Sequence, residues 1–218
     1  KLSAFYLMIL VPGLLLPTIS AQTATAPNVN QAQPAPTVQV AMLLDTSGSM
    51  QGLIAQAKTQ LWNIVNEFLM AKQGGVAPEV HVALYEYGKD SLNKENHWIR
   101  QIQPFTRDMD AISRDLFALN TNGGEEYCGA VIRKAVDELS WDDNPKTYKA
   151  IFIAGNEPFT QGPVDAEKSS LLALRKGIVV NTLHCGDEAT GKSTGWQQGA
   201  ALANGKFFAR SEERRVGK

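Results

Sequence analysis

VQVAMLLDTSGS, residues Val38 to Ser49, is an almost continuous apolar run that ends on an acid and a cluster of hydroxyl-bearing residues. Such a run is too dense in apolar residues for a half-exposed strand and suits a central parallel strand buried on both faces. The turn through Thr46 to Ser49 leads into a helical pattern from Leu53 to about Lys72, in which Ile54, Ala57, Leu61, Ile64, Val65 and Phe68 form one apolar stripe. The unit is therefore strand, turn, amphipathic helix, with Asp45 at the strand's carboxyl end.

The same alternation runs outward from it. Strand patterns cover Val80 to Tyr87, Trp98 to Phe105, Tyr148 to Ala154 and Ile178 to His184. Helical patterns cover Asp108 to Leu119, Gly129 to Leu139, Val164 to Lys176 and a short piece near Trp196 to Asn204, before Phe207 and Phe208. Alternating strands and helices predict an α/β fold: a doubly wound, mostly parallel central sheet with helices on both faces. Pro104 cannot donate to a sheet ladder, which puts the Trp98 segment at a sheet edge, and the fold is expected to carry one antiparallel edge strand.

The two ends read differently. Lys1 precedes an apolar run from Ala4 to Leu16 that is broken by Pro12, Gly13 and Pro17 and followed by Ser20 and Ala21. It falls short of the roughly 20 apolar residues a membrane span needs and has the layout of a secretory signal peptide, residues 1–21. The expectation is a periplasmic or extracellular protein with no stable membrane insertion after cleavage. Residues 22–37 carry no charge, three prolines and no apolar period, as expected of a disordered linker. The domain is expected over 38–209, and the charged, unpatterned residues 210–218 are expected to be a non-native tail. With 21 basic and 22 acidic side chains the formal net charge is −1, which excludes non-specific attraction to nucleic acid.

A carboxylate and two hydroxyls at alternate positions, Asp45, Ser47 and Ser49, form a compact set of hard oxygen donors. They suit one Mg²⁺, or Mn²⁺ or Ca²⁺, and suit zinc or copper poorly. The plain alternative is that Ser47 or Ser49 caps the following helix. The stretch VAMLLDTSGSMQG resembles the first strand and metal-ion-dependent adhesion motif of von Willebrand factor A-type (vWA) domains, and the resemblance in element order covers roughly residues 37–209. It implies that Asp45, Ser47 and Ser49 hold the metal, aided by a Thr from a second loop and an Asp from a third, and that a protein partner fills the open position with an acidic side chain.

Both further loops depart from that pattern. The second, Asn120 to Glu126, has Glu125 where the Thr is expected, so Glu125 is the candidate fourth ligand and Glu126 a candidate for the outer shell. In the third, the expected Asp falls at Gly155, leaving Asn156 or Glu157 to substitute through a water. The family usually adds a helix after the strand matching Phe207 to Ala209, so the domain is expected to be truncated at its C-terminal end.

Competing signals are fewer. Gly186 to Ser193 matches the phosphate-loop pattern G-x-x-x-x-G-K-[ST], but Asp187 and Glu188 would place two negative charges in a phosphate cradle. A nucleotide-binding enzyme is thus one alternative, and a metal-free scaffold domain is another. His81, His97 and His184 lack metal-ligand spacing, and no catalytic nucleophile with its base is visible, so a non-enzymatic binding domain is expected. Cys128, at a helix start, and Cys185, at a strand end, both belong at the ligand-bearing edge of the sheet. They are candidates for a single disulfide, which requires Cα atoms within about 7 Å.

Overall fold

The computed structural model describes residues 35–72 and 75–209. The leader, all but the end of the linker, and the tail at 210–218 lie outside the described residues. Strand β1 (Thr37–Asp45) is flanked by β2 (Glu79–Tyr87) and β4 (Tyr148–Gly155), with β3 (Ile99–Thr106), β5 (Val179–His184) and β6 (Phe207–Ala209) completing a six-stranded sheet in the order β3-β2-β1-β4-β5-β6. β3 pairs antiparallel with β2, and every other pairing is parallel. The β2–β3 ladder slips register between Val82 and Leu84, opposite Pro104, where the missing N–H interrupts pairing.

Alternation along the strands divides the core into two layers. Ala41, Leu43, Tyr85, Tyr87, Ile151 and Ile153 face helices α3 (Cys128–Glu138), α4 (Ala166–Arg175) and α6 (Trp196–Ala201). Val40, Met42, Leu44, Leu84 and Phe152 face α1 (Ile54–Met70) and α2 (Met109–Ala118). From Val38 to Asp45 every residue of β1 is buried, as its unbroken apolar run requires. The short α5 (Glu188–Ser193) precedes α6. Among the described residues no helix is long and apolar enough to cross a membrane.

The order of strands places a topological switch between β1 and β4: the chain winds one way from β1 to β3 and the other way from β4 to β6. Strand ends diverge there and leave a crevice at their carboxyl edge. Asp45, at the end of β1, and Gly155, at the end of β4, border that crevice.

Cys128 and Cys185 do not form the expected bridge. Both are free and buried, and they belong to core layers on opposite sides of the sheet. Burial raises both thiols, Cys185 to about 12 and Cys128 further, so neither is a thiolate at neutral pH.

The α3–α4 contact depends on Gly129. A Cβ there would collide with the Val164 carbonyl oxygen and lie 2.8 Å from the Ala166 nitrogen. An exposed helical Gly→Ala change gains up to about 1 kcal/mol, whereas overpacking costs about 1–3 kcal/mol. Gly129→Ala is expected to destabilise the domain by about 1–3 kcal/mol in urea unfolding, and a stabilised variant would contradict this packing.

Candidate metal site

Three loops meet in the crevice. The first is fixed by backbone: Thr46 N donates to the Tyr87 carbonyl (2.8 Å), and the Thr46 carbonyl accepts from Asn122 N (3.1 Å) of the second loop. The Thr46 hydroxyl donates to Glu86 Oε2 (3.2 Å), and Arg100 on β3 pairs with the other oxygen of that fully buried carboxylate. Thr46 is therefore held from both sides, which sets the direction of its neighbours Asp45 and Ser47.

Asp45 is fully buried. Its Oδ1 accepts from Ser47 N (2.8 Å), while Oδ2 has no hydrogen-bond partner. The Ser47 and Ser49 hydroxyls lie 2.9 Å apart, and Ser49 Oγ donates to Asn156 Oδ1 (3.0 Å) in the third loop. No side-chain cap is made by Ser47 at the 3₁₀ turn Gly48–Met50, so the hydroxyls bond to one another and to Asn156 rather than to the helix start.

The acid that joins them is Glu126. A Cβ at Gly88 would lie 2.9 Å from Glu126 Cγ, 3.0 Å from Asp45 Oδ1 and 3.4 Å from the Ser47 Cβ, so these side chains converge on Gly88. Gln161 Nε2 donates to Glu126 Oε2 (3.0 Å). Glu125, the candidate by alignment, is solvent-exposed, whereas Glu126 is 7 % exposed. The cause is the backbone at Gly124, whose φ of +155° lets the loop lie directly against the Gly88 carbonyl. With the glycine pressed to Gly88, the acid two residues on is the one turned inward.

The third loop lacks its expected acid for a steric reason. At Gly155 a Cβ would sit 2.6 Å from the Tyr87 hydroxyl, 3.0 Å from the Trp196 ring and 3.1 Å from Asp45 Oδ2. Tyr87 donates to the Ala154 carbonyl (3.1 Å) and Trp196 Nε1 to the Glu157 carbonyl (2.9 Å), which locks both rings under the crevice. Glu157, half-buried, contributes charge: it and Glu126 both raise Asp45. The participation of Tyr87 and Gly88 was not visible in sequence, since nothing in their own neighbourhoods marks them, whereas the sequence offers Glu157, with Asn156, as a substitute for the third-loop acid.

Burial is the largest cause that drives the Asp45 carboxyl up to about 7, against which the Ser47 amide and hydroxyl pull it down. Glu126 is raised also, first by burial and then by Glu157, with Ser47 and Gln161 opposing. A carboxylate oxygen buried without a donor calls for a proton or a cation, and the hydroxyls of Ser47 and Ser49 with the carboxylate of Glu126 make an oxygen-rich setting for a hard cation. Among the described residues no group of three or more His, Cys, Asp or Glu is arranged to hold an ion, so an ion here depends on the serine hydroxyls as well as on carboxylates.

The phosphate-loop pattern makes no cradle. Asp187 caps α5, its carboxylate accepting from Thr190 N (2.9 Å) and Thr190 Oγ1 (2.6 Å), and Lys192 pairs with Glu188 at 2.5 Å. The chain's own acids occupy the amide and the ammonium that a phosphate would use.

No protein-family model and no curated protein sequence matches the chain. Solved structures do. BatB from Bacteroides thetaiotaomicron, a conserved hypothetical protein, matches with a TM-score of 0.60 at 16 % identity, over 80 % of this chain and 90 % of that one. A von Willebrand factor type A protein from Catenulispora acidiphila matches with a TM-score of 0.59 at 14 % identity, over 82 % of this chain and 39 % of that one. The third is proximal thread matrix protein 1 from the mussel byssus, with a zinc-occupied MIDAS motif: TM-score 0.59, 14 % identity, over 83 % of this chain and 43 % of that one. At such identities the likeness establishes the fold, which is of the vWA type.

A pH dependence follows from Asp45. Its folded value of about 7 lies above the ordinary 3.8, so the folded state holds the proton more tightly. The resulting stability is complete below about pH 4 and is lost as pH rises through about 7, a loss of up to about 4 kcal/mol. In EDTA the melting temperature is expected to fall between pH 5 and pH 8, and Asp45→Asn to flatten that slope. A parent profile that is flat or rising would contradict the burial of an unpaired carboxyl.

Proposed function

We propose that the chain is an exported, non-enzymatic protein-interaction domain that works through one divalent cation held by Asp45, Ser47, Ser49 and Glu126, with Asn156 orienting Ser49. The observation that carries this reading is the fully buried Asp45 carboxyl, which has one oxygen without a donor amid hydroxyls and a second acid. All these donors are hard oxygens, so Mg²⁺, Mn²⁺ or Ca²⁺ is favoured. The zinc-bearing MIDAS of the mussel protein supports metal binding on this fold. The apolar leader supports a periplasmic or extracellular location.

The bound cation supplies positive charge at the crevice mouth, where Ser49 is exposed, and a partner's carboxylate completes its coordination. Asp45 and Glu126 together already balance a divalent charge, so the pull on a third carboxylate is weaker than at a site with one acid. Recognition therefore needs contacts beyond the ion. The competing reading, a metal-free scaffold, is favoured by the same burial if Asp45 simply keeps its proton.

Thermal melts at pH 8 separate the two. Mg²⁺ or Mn²⁺ about 100-fold above its Kd is expected to raise the melting temperature by roughly 5–10 °C. Asp45→Ala should abolish that rise and Glu126→Gln should weaken metal affinity at least tenfold, while Glu125→Gln should leave it unchanged. No rise with any of the three ions would establish the scaffold reading. A loss in Glu125→Gln but not in Glu126→Gln would overturn the assignment of the second loop.

A further inference from the structure

Two charged residues behind the crevice stand outside the proposed ligand set. Glu86 on β2 is fully buried, and Arg100, its cross-strand partner on β3, has a side chain more than half exposed. Strand parity puts Glu86 with Leu84 on the α1 and α2 side of the sheet, an apolar layer in which a lone carboxylate would be costly. One of its oxygens pairs with the Arg100 guanidinium and the other accepts from the Thr46 hydroxyl (3.2 Å). The β2–β3 register slips on either side of Leu84 and is back in step from Tyr85 onward, which sets Glu86 directly opposite Arg100.

Thr46 is where this ion pair meets the crevice. Its hydroxyl has two acceptors at 3.2 Å, Glu86 Oε2 and the Tyr87 carbonyl, and one proton to give. The Tyr87 carbonyl already accepts from Thr46 N (2.8 Å), and a carboxylate is the stronger acceptor of the two, so the charged Glu86 sets the direction of the hydroxyl. Threonine is branched at Cβ and stiff at χ1, so that direction restrains the backbone between the two peptide groups that flank it. The second of these groups carries the Ser47 amide, which donates to Asp45 Oδ1 (2.8 Å), and the Thr46 carbonyl, which accepts from Asn122 N (3.1 Å). Holding that plane engages Asp45 Oδ1 and leaves Oδ2, without a donor, as the oxygen that meets a cation.

Resting on the metal reading above, we propose that Arg100 and Glu86 are positioning residues of the metal site, which act through the Thr46 hydroxyl and set the affinity of the crevice for its cation from outside it. Groups that orient a metal's ligands typically contribute about 10–100-fold to its affinity. The sign of the effect separates this role from one of charge alone. Removing a guanidinium makes the surroundings more negative, which by its field strengthens the binding of a cation. Through the Thr46 hydroxyl the same removal weakens it, because Glu86 without its partner takes a proton and loses its hold on Thr46.

Isothermal titration with Mg²⁺, at a temperature where every variant is folded, reads that sign. Arg100→Met is expected to weaken Mg²⁺ binding about tenfold and Arg100→Lys to recover most of the loss; Arg100→Gln carries the same expectation should Arg100→Met not fold. Thr46→Val, which keeps the branched shape and removes the hydroxyl, should weaken binding as much, and Thr46→Ser should not. Adding Arg100→Met to Thr46→Val should bring no further loss, since both act through one hydrogen bond. Unchanged or tighter Mg²⁺ binding in Arg100→Met, with only the melting temperature lowered, would make the ion pair a prop of the sheet and overturn the proposal, as would additive losses in the double variant; in either case the metal reading stands. If the parent binds none of Mg²⁺, Mn²⁺ and Ca²⁺, the metal reading falls, and amide hydrogen exchange in EDTA decides the rest. Arg100→Met should then speed exchange at Ser47 and Asn122 by at least about tenfold relative to Leu43 and Ala83 in the strands, leaving Arg100 and Glu86 as positioning residues of the loop, whereas uniform exchange would overturn that role too.

Discussion

A carboxyl group buried at the carboxyl end of the central strand is the constraint around which the crevice is organised. Asp45 cannot turn to solvent, because β1 is covered on both faces and flanked by β2 and β4. One backbone amide compensates one oxygen and leaves the other without a donor. The anionic form of such a group is expensive, so whichever species neutralises it, a proton or a cation, becomes coupled to the stability of the whole sheet. The Ser47, Ser49 and Asn156 chain and the inward-turned Glu126 then have a physical meaning as a set: they are oxygens gathered where an uncompensated negative charge already stands.

Close approach of backbone gathers them. Gly88 and Gly124 let the β2–β3 connection and the second loop touch, and that contact brings Glu126 over Asp45. Gly155 does the opposite, leaving room for the Tyr87 hydroxyl and the Trp196 ring where a vWA domain usually has an acid. Aromatic packing beneath the crevice thus excludes an acid from the third loop, and the second loop provides one. The exchange is a matter of space as much as of charge.

Much of this was legible in the sequence where one residue's fate depends on its own neighbours. The apolar run into Asp45 predicts a central strand, the spacing after Leu53 predicts α1, and Pro104 marks β3 as an edge, all of which the sheet order agrees with. Legibility ended where placement depends on contacts made far away in the chain. Whether Glu125 or Glu126 faces inward is set by Gly124 resting on Gly88, and no local pattern encodes that contact. Cys128 and Cys185 were correctly placed near one edge of the sheet, but the strand parity that separates them onto opposite faces requires the β5 register. The phosphate-loop pattern matched in letters, yet Asp187, a strong helix cap, took the amide that the pattern reserves for phosphate.

The hydrogen bond from Ser49 to Asn156 spans 107 residues of chain, and that separation bears on when the site can exist. Its oxygens come from the first, the middle and the later part of the domain, so no partly folded segment presents more than a fragment of the set. A chain in the act of folding must dock β4 beside β1 before the third loop can reach the first. A cation that binds only the finished arrangement stabilises an interaction absent from earlier states, and such interactions retard unfolding more than they hasten folding. Occupancy of the crevice would thus act as a latch on the completed sheet, lengthening the lifetime of the native domain.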